Sequence, residues 1–181
     1  MSFEVLSDFV FHSKVPDDVI EKYKDKIPPQ LLEIWQDYGF GSFANGYMKI
    51  INPDDYMGIL EESYFASDDS IPLFSTGLAD VITWQGGDYL GLIKYRKSDA
   101  IIYPFEFEDF IVDFYDEDNV EFIDSGQYSK AVQLLGKPEY DECFGYVPLL
   151  ALGGSEKAEK LKIFKILPHI DLITQVAGRI E

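Results

Sequence analysis

Carboxylates dominate the chemistry available to this chain. Eighteen of them lie between Lys49 and Lys130 against three basic side chains, Lys94, Arg96 and Lys97, so this segment carries −15 of the −18 formal charge. Oxygen groups at this density suit a hard cation, a general acid–base pair, or an electrostatic field that draws in a basic partner. The cation reading meets a specific test at Asp116-Glu117-Asp118. An EF-hand loop starting at Asp116 needs Gly and Glu where Glu121 and Gln127 stand, so the match fails. A carboxylate pair for glycoside hydrolysis is defined by separation in space, and the sequence singles out no such pair.

Other reactive groups are sparse. His12 and His169 lie far apart, and a lone His near the start of a last helix reads as structural. Cys143 follows Asp141-Glu142. Neighbouring negative charge raises a thiol pKa instead of activating it, so Cys143 reads as a small buried hydrophobe. No phosphate-binding G-x-x-x-x-G-K-[ST] loop, H-E-x-x-H, C-x-x-C or G-x-S-x-G occurs. Gly39 to Gly46 opens like a dinucleotide fingerprint, but it follows a helical pattern and lacks the third Gly at its spacing, so it reads as a loop. The expectation is a non-enzyme with no catalytic residue, no cofactor and no metal site.

The elements that must carry these side chains follow from periodicity. Val15-Pro16-Asp17-Asp18 opens a first helix, with acids where the macrodipole favours them. Ile27-Pro28-Pro29 opens a second, with Leu31, Leu32, Ile34, Trp35 and Tyr38 on one side and Gly39 as its stop. Tyr47 to Ile51 reads as a strand, and Asn52-Pro53-Asp54-Asp55 as the cap of a helix carrying Tyr56, Ile59 and Leu60. Strand-sized runs then succeed one another, Ile71 to Thr76, Asp80 to Trp84, Tyr89 to Tyr95 and Ala100 to Tyr103, with turn residues between them, which indicates an antiparallel meander. Phe105 to Asp124 has a helical rhythm, and Tyr128 to Leu135 is a further helix. Val147 to Leu152 is a continuous apolar run suited to a buried strand, and a last helix spans about His169 to Ala177. The predicted fold is α+β, a central antiparallel β-meander flanked by N- and C-terminal helices in a single compact unit.

Bulk composition fits such a domain. Apolar residues make up 46% and aromatics 15%, too hydrophobic for a disordered chain despite the charge. The single cysteine forms no internal disulfide, which fits a reducing compartment. The N-terminus lacks the basic n-region of a signal peptide, and no apolar run approaches the roughly 20 residues of a membrane span. The expected location is cytoplasmic. Phosphate backbones are repelled by such a surface, and no basic stripe with interleaved aromatics is present, so neither nucleic acid nor membrane is expected as a partner.

Two stretches carry more than composition. One runs from Leu31-Leu32-Glu33-Ile34-Trp35-Gln36-Asp37-Tyr38-Gly39 through Gly46-Tyr47 to Ile51-Asn52-Pro53-Asp54; the other is Glu139-Tyr140-Asp141-Glu142-Cys143-Phe144-Gly145-Tyr146-Val147-Pro148, ending Ala151-Leu152-Gly153-Gly154. Together they resemble the GAD-like family with its attached C-terminal domain, known from bacterial type VI secretion immunity proteins. The resemblance divides the chain into a GAD-like region, 1–104, and a C-terminal region, 105–181, packed on it. It implies a protein that binds and neutralises a cognate toxin, often a nuclease, and it carries over no catalytic residue. Trp35, Tyr38, Gly39 and Gly41 read as structural, and Cys143, Phe144 and Val147 as core.

Charge selects the candidate contacts. Asp54, Asp55, Glu61, Glu62, Asp68 and Asp69 form one acidic group, with Tyr56 and Tyr64 as aromatic anchors; Glu106, Glu108, Asp109, Asp113, Asp116, Glu117 and Asp118 form a second. The expected partner is a basic toxin. The alternatives are a regulatory interaction module and, behind it, a metal-assisted hydrolase.

Overall fold

The computed structural model describes residues 3–181. Strand β1 (Val10–Ser13) is followed by helices α1 (Asp17–Tyr23) and α2 (Pro29–Asp37), then by strands β2 (Phe40–Phe43) and β3 (Met48–Ile50). Helix α3 (Pro53–Ser63) leads into the meander β4 (Ser70–Thr76), β5 (Val81–Gln85), β6 (Tyr89–Lys94) and β7 (Asp99–Ile102). These strands form one seven-stranded antiparallel sheet whose spatial order is the sequence order. The rest of the chain supplies α4 (Phe107–Val112), α5 (Glu117–Ile123), α6 (Tyr128–Leu135), the hairpin of β8 (Glu142–Tyr146) and β9 (Leu161–Lys165), and α7 (Ile166–Ala177). The fold is α+β.

Local chemistry explains the boundaries. Pro28 and Pro29 start α2 where the first backbone N–H groups have no intrahelical partner, and Leu31, Ile34 and Trp35 then fall on one buried face. Gly39 follows at φ +79°, a left-handed turn that an L side chain resists. Asn52 accepts the Asp54 amide (3.1 Å) and so caps α3.

Helices cover both faces of the sheet. On one face Ile82, Trp84, Leu90 and Leu92 join the buried residues of α2, α4, α5 and α6. On the other, Ile51, Val81, Ile93 and Tyr95 meet Tyr56 and Leu60 of α3 and Ile166, Ile170 and Ile173 of α7. The first face is rich in rings: Phe43, Phe74, Phe107, Phe110 and Phe114 are linked by ring contacts with centroids 5.4 to 6.3 Å apart. Each such pair adds about 0.5–1.5 kcal/mol beyond its buried area.

Polar struts tie the C-terminal elements to the sheet. Tyr47 OH donates to the Ile123 carbonyl (3.1 Å), and Tyr128 OH to the Asn45 carbonyl (3.0 Å). The Tyr128 ring lies against Gly77, where a Cβ would come within 2.3 Å of it. Lys49, 1% exposed in the middle of the sheet, donates to the carbonyl oxygens of Glu139 (2.7 Å) and Glu142 just ahead of and within β8. Burial lowers its ammonium pKa to about 8.

Several local expectations are corrected. Gly39 to Gly46 is not simply a loop: it contains β2, and the tight turn after it is held by Asp8, whose carboxylate accepts the amides of Ala44 (3.0 Å) and Asn45 (2.7 Å). The N-terminal region contributes an edge strand, β1, as well as helices. Phe105 to Asp124 divides into α4 and α5, although Phe107, Phe110, Ile111 and Phe114 are buried as its rhythm required. Val147 to Leu152 is a surface connection with a short 3-10 turn, not a strand, and Val147 is 39% exposed. The strand of that region is β8, immediately before it.

Candidate functional site

The three basic side chains of the acidic segment are all paired with carboxylates: Arg96 is buried, Lys94 half-buried and Lys97 exposed. Arg96, buried beneath the surface, donates to the Asp80 carboxylate (2.8 Å) and the Asp124 carbonyl (2.7 Å). Lys97 pairs with Asp124 (2.7 Å) and Glu156 (3.2 Å), and Lys94 approaches Asp124 (3.7 Å). Asp80 has no exposed surface, and burial pushes its carboxyl pKa up to about 6 against the pull of Arg96. Its Oδ1 and the Arg96 Nε have no hydrogen-bond partner among the described residues. Asp124 has its pKa held below the ordinary carboxylate value: partial burial works to raise it, and the Lys97 bond with the neighbouring cations outweighs that. The cluster fastens the α5–α6 junction to the sheet. It also pairs each of the segment's three cations with a carboxylate outside α4 and the first turn of α5.

The exposed acids are therefore left without compensation where they are densest. Glu106, Glu108, Asp109, Asp113, Asp116, Glu117 and Asp118 all lie at the surface on α4, α5 and the turn between them. None of them joins an ion pair among the described residues. Glu108 accepts one long bond from Gln30 (3.4 Å). Glu108 and Asp109 begin α4, and Glu117 and Asp118 begin α5, so the helix dipoles tolerate this concentration. Large apolar side chains stand among them: Phe105, Val112, Tyr115 and Val120 are each at least 44% exposed. An open groove of about 740 Å³ runs between the end of β7 and α5, with Ile101, Tyr103, Phe105 and Phe122 on its walls and Asp118 and Glu121 beside them.

The other acidic group is a different surface. Asp55, Glu61, Glu62, Asp68 and Asp69 are exposed, but Asp54 is engaged, accepting from Lys22 Nζ and from Tyr23 OH (2.6 Å). Burial works to raise its carboxyl pKa, and the bonds from Lys22 and Tyr23 with the Lys22 charge together outweigh it and hold the value below the ordinary one. Asp54, Glu61, Asp68 and Asp69 border a groove of about 860 Å³ that Lys22 and Lys26 also line, so the field there is mixed. Tyr56 and Tyr64 are not surface anchors. They are 7% and 4% exposed, Tyr56 OH bonds Ser75 Oγ (3.3 Å), and Tyr64 OH accepts from Gln85 (3.0 Å). The exposed rings that the sequence did not single out are Phe11, Phe65, Phe105 and Tyr115. Tyr115 falls out of phase with the buried Phe107, Phe110, Ile111 and Phe114, and that phase was a usable signal.

Cys143 and His169 sit as interior groups, and His12 is exposed on β1. Cys143 is buried, and desolvation lifts its thiol pKa to about 12. His169 stacks on Phe164 with ring centroids 4.8 Å apart, and burial pushes its imidazole pKa down to about 4. Among the described residues, no group of three or more His, Cys, Asp or Glu side chains is arranged to hold a metal ion, and no helix is long and apolar enough to cross a membrane.

Residues 3–86 match the GAD-like domain, and residues 105–177 match the C-terminal domain of the type VI secretion immunity protein Tdi1. Each match is a likeness of its own stretch of the chain. The second match supports an immunity-protein role. The stretch that matches the GAD-like domain contains β1 to β5, and the stretch that matches the Tdi1 C-terminal domain contains α4 and α5. No curated protein sequence matches the chain. Among solved structures, the crystal structure of Atu4351 from Agrobacterium tumefaciens superposes with a TM-score of 0.76 at 18% identity, over 96% of this chain and 89% of that one, which establishes a shared fold.

Proposed function

We propose that this protein binds a cognate toxin of a type VI secretion system, a nuclease, and neutralises it through the acidic surface of α4 and α5. The observation that carries the reading is that Lys94, Arg96 and Lys97 are paired with Asp80, Asp124 and Glu156, while the α4–α5 carboxylates join no ion pair among the described residues, in a stretch that matches an immunity protein. Nuclease clefts are basic because they hold phosphates, and a carboxylate surface competes for the same charges. Complementary fields raise association to about 10⁸ M⁻¹s⁻¹ at low salt, against roughly 10⁵–10⁶ for neutral pairs. Speed suits a protein that must capture an injected toxin before it acts. The exposed Phe105, Val112 and Tyr115 supply apolar area for the buried centre of such a contact.

The test is a pull-down from the source bacterium at about 50 mM and about 500 mM salt, which brackets the screening of exposed charge. The expected product is one basic nuclease held more weakly at high salt, whose activity the purified protein suppresses. Recovery of no such partner from cells that express the toxin would refute the reading.

A further inference from the structure

The sheet has two open edges, and they differ. At β1 the register with β2 shifts between Phe11 and Ser13, and His12 lies stacked on Tyr140 with centroids 3.9 Å apart. Irregular register and a covering side chain are the usual protections of an edge. At β7 the register with β6 is unbroken from Lys94↔Asp99 to Gly91↔Ile102. The Tyr103 amide donates to the Leu90 carbonyl (2.8 Å). Antiparallel alternation then turns the amides of Asp99 and Ile101 towards β6 and those of Ala100 and Ile102 away from the sheet. The Ala100 amide is closed by the Asp99 carboxylate (2.9 Å). Among the described residues no strand lies on the outer side of Ile102, which is 62% exposed.

We propose that an extended basic segment of the toxin adds to β7 as a further antiparallel or parallel strand and lays alternate side chains in the groove against α5. The inference rests on the immunity reading and adds the mode of contact. Strand addition draws affinity from main-chain hydrogen bonds and specificity from pockets for alternate side chains. The β7–α5 groove is such a pocket: Ile101, Tyr103, Phe105 and Phe122 give it apolar wall, the Lys94 that also lines it is paired with Asp124, and Asp118 and Glu121 have no ion pair among the described residues. Apolar side chains of the segment fill the groove while Lys or Arg meets those two carboxylates. A second copy of this chain is a poor occupant, since pairing β7 with itself brings like-charged α4–α5 surfaces together.

The experiment uses the full chain and the toxin recovered by the pull-down, purified. Ile102→Pro removes the outward donor while leaving the bonds to β6, a position where an edge strand tolerates proline. The double variant Asp118→Lys/Glu121→Lys leaves the backbone untouched and serves if the proline variant fails to fold. Each is expected to weaken binding at least about tenfold, the effect of losing roughly 1.4 kcal/mol. Hydrogen exchange at the Ile102 amide of the unaltered protein is expected to slow at least about tenfold in the complex. Undiminished binding by the charge variant, with unslowed exchange at Ile102, overturns the proposal. Toxin binding with protection at β1 or α3 instead overturns it while leaving the immunity reading in place. Absence of toxin binding overturns both, and a free protein that dimerises through β7 overturns the proposed occupant.

Discussion

His169 makes stability depend on pH in a way that can be isolated. Burial takes its imidazole from the ordinary 6.5 to about 4 in the folded protein, and its Nδ1 has no hydrogen-bond partner among the described residues. The unfolded chain therefore binds a proton through the interval from pH 6.5 to 4 that the folded one does not. The stabilisation is complete above pH 6.5 and is lost as the pH falls through that interval. At about 1.36 kcal/mol per pH unit the full effect is about 3 kcal/mol, of which about 2.5 is lost by about pH 4.5. Asp80 works in the opposite sense, since its folded carboxyl pKa is raised to about 6, but it is shared by any His169 variant and drops out of the difference. Urea unfolding of the unaltered protein and His169→Leu, followed by fluorescence of the buried Trp35 and Trp84, measures that difference at about pH 7.5 and about pH 4.5. The unaltered protein is expected to lose about 2.5 kcal/mol more than the variant. Equal losses would refute the assignment of His169 as a buried neutral base.

Two further substitutions probe how the C-terminal elements are held. Arg96→Met leaves the fully buried Asp80 carboxylate without its cation and is expected to cost about 3–5 kcal/mol in urea unfolding. Replacing Asp80 by Leu as well should restore much of that, and a loss under about 1 kcal/mol for the single variant would contradict the clamp. Lys49→Met removes the strut to the Glu139 and Glu142 carbonyls, for a loss of about 2 kcal/mol. Faster amide exchange in β8 should accompany it, and unchanged exchange there would show that Lys49 does not hold the hairpin.

The middle of the fold was legible because its strands carry their own turn signals. Gln85-Gly86-Gly87-Asp88 and Lys97-Ser98-Asp99 punctuate β5 to β7 at lengths that admit little else. The strands β1 and β2 were not legible. Val10-Phe11-His12-Ser13 is mostly exposed and has no alternation of burial, and Phe40-Gly41-Ser42-Phe43 becomes a strand only because β1 and β3 flank it. Val147 to Leu152 shows the converse: an apolar run that tertiary structure leaves at the surface, with Gly154 packed against the Pro148 carbonyl. Charge alone gave the acidic segment but not its division into neutralised and unneutralised parts, because that depends on where Lys94, Arg96 and Lys97 point. The burial of Tyr56 and Tyr64 was available in principle. With Leu60 they repeat every four residues, the spacing of a single inward helix stripe.

The central claim is that the α4–α5 carboxylates draw in the toxin. It is tested most directly by the association rate of the purified toxin with the unaltered protein and with a variant carrying Lys at Asp109, Asp113, Asp116 and Glu117. These four are exposed and outside every ion pair among the described residues, so the variant is expected to fold. At about 50 mM salt the variant is predicted to associate at least about tenfold more slowly, and at about 500 mM the two rates should converge. Equal rates at both salt concentrations would contradict the account.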